Sequence, residues 1–132
     1  MRRPNLAPIY RWLVMLTSAL VLLQAVLAGR YLWINPDFLN YHEILANALF
    51  LVVVVQAGMT FAMGIPGSLG KRLLWLNVAL AIAVVVQIGL GYSGKTDREA
   101  ASWHIPLGVL IFGLTVAIAA MTPQILHSSE ER

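Results

Sequence analysis

The chain has 132 residues, of which 59% are hydrophobic and 11% are charged, with a mean hydropathy of +0.76 and a formal net charge of +3. Soluble domains carry about 25% charged residues, so this composition indicates an integral membrane protein. The positive charges form no basic stripe with interleaved aromatic residues, which argues against a nucleic-acid partner. Cysteine is absent, which excludes disulfides, thiolate catalysis and iron–sulfur clusters.

Four long runs without a charged side chain predict four membrane-spanning helices. A helix needs about 20 apolar residues to cross the hydrocarbon core of a bilayer. The predicted spans cover about residues 11–31, 41–63, 72–93 and 100–121. The sequence therefore predicts an all-α, integral membrane four-helix bundle. It is expected to form one domain over residues 1–132 and to lie in the lipid bilayer.

The first predicted span follows residues 1–10, which we expect to form a short tail. Arg2 and Arg3, an apolar core and the small residues Ala28 and Gly29 are also the pattern of a cleaved signal peptide. The apolar run is long for a signal peptide and has a counterpart later in the chain. Both observations favour a retained span.

The second span is predicted to begin at Asn35-Pro36, because asparagine is a good helix cap and proline suits the first helical position. Its end is predicted at the breaker cluster Gly64-Ile65-Pro66-Gly67. The third span follows and ends at Ser93-Gly94.

Two starts are open for the fourth helix. Thr96 and Glu99 have the spacing of a capping box, which would place Pro106 inside the helix and leave the carbonyl of Ser102 without its helical partner. The alternative is Ser102 itself as the cap. Thr122-Pro123 is predicted to end the helix at Met121 in either case.

An internal repeat relates the two halves of the chain. The run WLVMLTSALVLLQ, from Trp12 to Gln24, corresponds to WLNVALAIAVVVQ, from Trp75 to Gln87, at an offset of 63 positions. Each repeat contains two spans, so both repeats cross the membrane in the same sense. The sequence predicts two parallel two-helix repeats related by a pseudo-two-fold axis along the membrane normal.

The repeat also relates two histidines, His42 and His104, at an offset of 62 positions. In an up-down-up-down bundle the second and fourth helices are diagonal neighbours, on the order of 12–14 Å apart. That distance is too wide for the imidazoles to bond directly, but it admits a flat macrocycle with its metal between them. Ala46 and Gly108, one turn after each histidine, are expected to keep this space open.

We therefore predict that His42 and His104 hold the iron of a b-type haem (heme). Two neutral imidazoles fill both axial positions, which is typical of an electron-transfer centre. Gln24 and Gln87 are expected to point inward and hydrogen-bond a histidine or the cofactor, or else to bond between helices. Arg30, together with Lys95 and Arg98, is expected to pair with the haem propionates.

A second interpretation gives the histidines no ligand role, because a single histidine at a membrane interface is usually a tolerated amphipathic side chain. The chain would then be a haem-free small membrane subunit or assembly factor. Gln56 and Asn77, which lack polar counterparts in the repeat, are predicted to be contacts inside the bundle.

Lysine and arginine predict the orientation in the membrane. Six of these residues lie at the two termini and between spans two and three, against three in the other two loops. The pattern places both termini in the cytoplasm, and therefore the two histidines toward the outer face of a cytoplasmic (inner) membrane.

The segments LNYHEILANALF and SWHIPLGVLIFG resemble the helix starts that carry the ligand histidines in heme A synthase, a membrane enzyme built from two four-helix units. The resemblance covers nearly the whole chain and implies one haem-binding unit of a redox or haem-modifying protein, with a redox protein or a quinone as partner. A complete counterpart would be a homodimer. Leu39 stands where the family's catalytic unit has a glutamate, so the resemblance implies haem binding more strongly than oxidation of a haem methyl group.

Overall fold

The computed structural model describes the backbone of residues 6–130 and the side chains of residues 6–125. Within this part of the chain there are four helices and no strand: α1 (Ala7–Trp33), α2 (Phe38–Met63), α3 (Gly67–Ser93) and α4 (Arg98–Glu130). All four are long and apolar enough to cross a membrane. The predicted all-α bundle of four membrane-spanning helices is confirmed.

The helices form a closed ring in chain order. Helix α1 packs against α2 and α4, and α3 packs against the same two helices, so α1 and α3 are diagonal, as are α2 and α4. Short connections make successive helices antiparallel. The α1–α2 and α3–α4 loops therefore lie at one end of the bundle, here called the histidine end, and the α2–α3 loop lies at the other.

The core is a narrow column of apolar side chains along the axis of the bundle. Large apolar residues also cover the outside, where Trp12 and Trp75 are each 70% exposed. An apolar exterior around a small core is expected where lipid is the solvent. The central layer is buried and follows the repeat, with Val21 opposite Val84 and Leu49 opposite Ile111.

The first helix begins earlier than the sequence predicted. Ala7 is its first residue and Pro8 lies in its first turn, where the missing N–H of proline is not needed. Tyr10 is consequently fully buried in the bundle rather than part of a tail. Residues 1–5, with Arg2 and Arg3, lie outside the described residues.

Both ends of α2 are set by local chain geometry. The predicted start at Asn35-Pro36 is wrong: the side-chain oxygen of Asn35 accepts a hydrogen bond from the backbone N–H of Asp37 at 2.8 Å, which forms a turn, and the helix begins at Phe38. It ends where predicted, at Gly64, whose φ of 54° is in the left-handed region that glycine favours. A side chain at Gly70 would overlap the carbonyl oxygen of Ile65, so this hairpin also needs glycine there.

The start of α4 decides between the two alternatives. The helix starts early and contains Pro106, as the first alternative predicted, but its cap is Asp97 rather than Thr96, because the carboxylate of Asp97 accepts the backbone N–H of Glu99 at 2.8 Å. The predicted end at Met121 is wrong, because α4 continues through Pro123 to Glu130. The hydroxyl of Thr122 donates to the carbonyl of Ala119 at 2.8 Å, which supplies the hydrogen bond that a proline at position 123 cannot give.

Candidate functional site

His42 and His104 come together at the histidine end of the bundle. They lie near the starts of the diagonal helices α2 and α4, and both side chains are half-buried. Their ring centroids are 6.2 Å apart, and the ring planes meet at 63°. The two imidazoles thus reach inward across the diagonal and face each other.

Each histidine is held by a glutamine of the preceding helix through a pair of reciprocal hydrogen bonds. The ring nitrogen Nδ1 of His42 is 3.1 Å from the backbone carbonyl oxygen of Gln24, and the side-chain amide of Gln24 donates to the carbonyl of His42 at 3.0 Å. The same two bonds join His104 and Gln87, at 3.0 and 2.9 Å. The sequence repeat is therefore reproduced atom by atom at this site.

These bonds fix which ring nitrogen is free. A carbonyl oxygen can only accept a hydrogen bond, so Nδ1 of each histidine carries the hydrogen and donates it. Nε2 then holds the lone pair, which is the form of imidazole that binds a metal ion. Metal-binding histidines usually donate their other ring N–H to a carbonyl or carboxylate in this way.

The spacing of the rings matches a shared metal ion. Two imidazoles on opposite sides of one metal ion, each nitrogen about 2 Å from it, have ring centroids roughly 6 Å apart. The observed 6.2 Å agrees with that spacing. No group of three or more histidine, aspartate or glutamate side chains with metal-binding geometry occurs among the described residues. A metal held here would need its remaining ligands from a non-protein group, and a porphyrin supplies four.

A cavity of about 290 Å³ adjoins both rings and is lined from all four helices. This volume is near the lower limit for small-molecule sites, about 300–1,000 Å³, so a porphyrin would fill it and extend past its open side. Small residues make the space: Ala28, Ala46 and Gly91 all line the cavity. A Cβ atom on Gly91 would lie 3.1 Å from Cε1 of His104.

Gly108 has a different neighbour from the one predicted. It does not line the cavity, and a Cβ atom there would lie 3.2 Å from the side-chain nitrogen of Gln87. The absence of a side chain at this position makes room for the glutamine that holds His104. Gly108 thus affects the histidine only indirectly, through its partner.

Gln24 and Gln87 each retain one unused acceptor. Their side-chain Oε1 atoms are buried and have no hydrogen-bond donor among the described residues. A buried polar atom left unpaired costs about 1–3 kcal/mol. Two symmetric unpaired acceptors beside the histidines are consistent with a site that receives a further group.

The rim of the cavity carries one ion pair. The ammonium of Lys95, in the α3–α4 loop, contacts the carboxylate of Glu43 on α2 and lies 5.1 Å from the ring centroid of Tyr92. The hydrogen bond to Glu43 raises the pKa of Lys95, so this residue stays cationic at neutral pH.

Of the three cations predicted near the propionates, only Lys95 lines the cavity. The guanidinium of Arg30 instead lies over the ring of Phe38, 5.2 Å from its centroid. Arg98 is exposed at the start of α4.

A second polar cluster, which we call the buried network, lies toward the opposite end of the bundle. The side chain of Gln56 accepts from the hydroxyl of Thr17 at 2.6 Å and donates to Asn77 at 2.7 Å, and Asn77 donates to the hydroxyl of Tyr10 at 2.8 Å. All four side chains are fully buried.

The predicted role of Gln56 and Asn77 as bundle contacts agrees with this network, whereas Tyr10 and Thr17 were missed. The signal for them was present. Tyr10, Val14, Thr17 and Val21 recur at the spacing of one helix face.

The chain matches no protein-family model, no curated protein and no solved structure.

Proposed function

We propose that this protein binds one b-type haem between His42 and His104 and serves as a membrane electron-transfer or haem-handling unit. The observation that carries the proposal is the pair of imidazoles, with ring centroids 6.2 Å apart and both Nδ1 atoms bonded to backbone carbonyls. This arrangement leaves both Nε2 atoms free to act as axial ligands. The resemblance to one half of heme A synthase supports the same proposal.

The protein's own groups would orient the ligands and keep the site dry. The backbone carbonyls of Gln24 and Gln87 hold the ring tautomers, and Ala28, Ala46 and Gly91 leave room beside the rings. The haem would supply a one-electron redox centre. With His42 and His104 both holding the haem, the site would favour electron transfer, with a redox protein or a quinone as partner, over oxygen binding. A haem-modifying activity and a homodimer remain implications of the resemblance.

Absorption spectra test this proposal. After haem-replete expression and purification in detergent, the wild type should show a sharp Soret band, and dithionite should produce the α and β bands of a low-spin haem. His42→Ala and His104→Ala should each lose these bands. His127→Ala is the matched control, since His127 is in the polar C-terminal segment, and it should retain them. A wild-type sample without a Soret band would refute the proposal.

The proposed orientation places both termini in the cytoplasm and the haem site toward the outer face. Its support is the excess of lysine and arginine at the termini and in the α2–α3 loop, where Lys71 and Arg72 lie. Since the chain has no cysteine, single-cysteine variants give an unambiguous test. A membrane-impermeant maleimide added to intact cells should label Thr96→Cys and spare Ser68→Cys. The reverse pattern would invert the topology.

The alternative function is a haem-free membrane subunit or assembly factor. The glutamine side chains give it some support, because the amides of Gln24 and Gln87 join successive helices through the backbone carbonyls of His42 and His104, without any ligand and without the imidazoles. This alternative predicts a colourless wild type after haem-replete expression. It also predicts that both histidine-to-alanine variants leave stability and cellular function nearly unchanged.

A further inference from the structure

The two rings and the small residues beside them follow the pseudo-two-fold repeat, one set on each side of the cavity. His42 corresponds to His104, and Ala28 corresponds to Gly91. All four line the cavity. A flat ligand held between the two rings could be turned by half a rotation about the pseudo-two-fold axis and meet nearly the same neighbours.

The rim does not follow the repeat. On one side lie Glu43 and Lys95, here called the polar flank, between α2 and the α3–α4 loop. Their counterparts at the repeat offsets are Ile105 and Leu32, here called the apolar flank, between α4 and the end of α1. All four residues line the same cavity. Two sides of one cavity that the repeat would make equal therefore differ completely in polarity.

The polar flank can still bind an anion although its charges are paired. An ammonium group has three N–H donors, and its contact with Glu43 uses one of them. The Lys95 side chain is 45% exposed, so its other donors are accessible from the cavity mouth. The hydroxyl-bearing Tyr31 and Tyr92 also line the cavity.

The apolar flank provides neither a hydrogen-bond donor nor a positive charge for an anion. Leu32 is 60% exposed and Ile105 is 67% exposed, and neither side chain can donate a hydrogen bond. A carboxylate moved against this hydrocarbon surface would lose hydration without gaining a partner, which is strongly unfavourable. A vinyl or methyl edge would gain apolar contact there.

We propose that the polar flank selects one of the two orientations that a flat, carboxylate-bearing amphipathic ligand could take between the two symmetry-related histidines. The acidic edge lies against Lys95, and the apolar edge lies against Leu32 and Ile105. This inference rests on the proposed haem binding. Lys95 and Glu43 are then the residues that determine orientation, while the histidines determine binding.

Proton NMR of the ferric, haem-loaded protein in detergent micelles measures this directly, because each orientation gives its own set of hyperfine-shifted haem methyl resonances. The wild type should show one set in excess by on the order of tenfold or more. The double variant Glu43→Ile with Lys95→Leu makes both flanks apolar and should show two sets of comparable intensity.

A mirrored variant provides the matched control. Adding Leu32→Lys and Ile105→Glu to that double variant moves the charged pair to the opposite flank, and the dominant resonances should then be those of the minor orientation in the wild type. Lys95→Arg keeps the charge and should keep the wild-type orientation. Helix content by circular dichroism and the height of the Soret band check that each variant is folded and loaded.

The outcomes separate this inference from the function on which it rests. A Soret band with mixed orientations in the wild type, or a mirrored variant that keeps the wild-type orientation, would overturn orientation selection and leave haem binding intact. A wild type that binds no haem would overturn both.

Discussion

This bundle has two polar centres, the histidine end and the buried network, and the internal repeat preserves the polar side chains at the first but not at the second. At the histidine end, His42 and Gln24 are repeated as His104 and Gln87, and each pair makes the same two hydrogen bonds at nearly the same lengths. In the buried network the positions are repeated but the chemistry is not. Four of these polar side chains have apolar counterparts: Leu73 for Tyr10, Leu80 for Thr17, Ile118 for Gln56 and Val14 for Asn77.

The difference follows from what each centre has to satisfy. Under the proposed function, a ligand held between two imidazoles would need the same donor at the same depth on both sides, which would account for the symmetry of the histidine end. The buried network satisfies its members among themselves, and a single copy at the bundle axis is sufficient. It joins α1, α2 and α3 in a fixed order, which two identical copies could not specify. The apolar central layer separates the two centres.

The largest expected effect separates the two centres: a variant at the histidine end should affect haem binding, and a variant in the buried network should affect stability. His104→Ala should remove nearly all bound haem and leave the stability of the haem-free protein close to the wild-type value. Gln56→Ile should retain the haem spectrum and lower the free energy of unfolding by about 1–2 kcal/mol, because it leaves the buried Oδ1 of Asn77 without its donor and removes one of the two acceptors of the Thr17 hydroxyl. Soret absorbance and thermal melting in detergent measure the two effects. Loss of haem in both variants would mean that the centres are coupled.

A second variant replaces every polar side chain of the buried network by the apolar residue at the equivalent position of the repeat, so that no hydrogen-bonding partner is left behind. The combined variant Tyr10→Leu, Thr17→Leu, Gln56→Ile and Asn77→Val leaves no unpaired member, so it should be more stable than Gln56→Ile alone. Its helices would lose the side-chain hydrogen bonds that fix their order in the bundle. Thermal melting of both variants tests the first statement, and broader amide NMR lines in the combined variant test the second. A combined variant that is less stable than the single variant would contradict this account.

A smaller effect is expected at the position where the histidine end itself departs from symmetry. Gly91→Ala would place a Cβ atom 3.1 Å from Cε1 of His104, which is tight enough to move the ring. Haem should still bind, with a shifted redox potential and a changed low-spin electron paramagnetic resonance spectrum. Ala28→Gly, at the equivalent position beside the other histidine, is the control and should change neither. Identical spectra for Gly91→Ala and wild type would show that the ring adapts without cost.

The smallest effect concerns the ion pair on the rim. The pKa of Lys95 is raised from its ordinary value of 10.5 by its hydrogen bond to Glu43. A cation with a raised pKa stabilises the fold below its ordinary pKa and loses this contribution as the pH rises through the raised value. The melting temperature of Lys95→Gln should therefore lie slightly below that of wild type at pH 8, and the difference should shrink above pH 10.5. A difference that stays constant with pH would assign the effect to packing.

Several local features were open to prediction because they depend on neighbouring residues. Gly64 ends α2 through a left-handed φ that the sequence Gly-Ile-Pro-Gly favours. The end of α4 was not predictable in the same way, because proline is a general helix breaker. At Pro123 the hydroxyl of Thr122 donates to the carbonyl of Ala119, a bond that the proline cannot make, and the helix continues. Tyr10 was assigned to a tail because its burial depends on α2 and α3.

At the candidate site, too, some features could be predicted from the sequence and others depend on the tertiary structure. The repeat was sufficient to pair His42 with His104 and to give each a glutamine one span earlier. It could not show that a backbone carbonyl, rather than the glutamine side chain, accepts from each ring. Nor could it show that Arg30 turns to Phe38 while Lys95 reaches the cavity, because the loop conformation decides which cation faces inward.

By itself, the sequence determined that this is a four-helix membrane protein with a duplicated hairpin and two histidines at equivalent positions, because hydropathy and spacing are properties of the chain alone. The tertiary structure decided the ring spacing, the tautomers, the unequal flanks of the cavity and the buried network. Each of these depends on atoms from different helices meeting within hydrogen-bonding or van der Waals distance, and side-chain contacts between helices are set by packing rather than by periodicity.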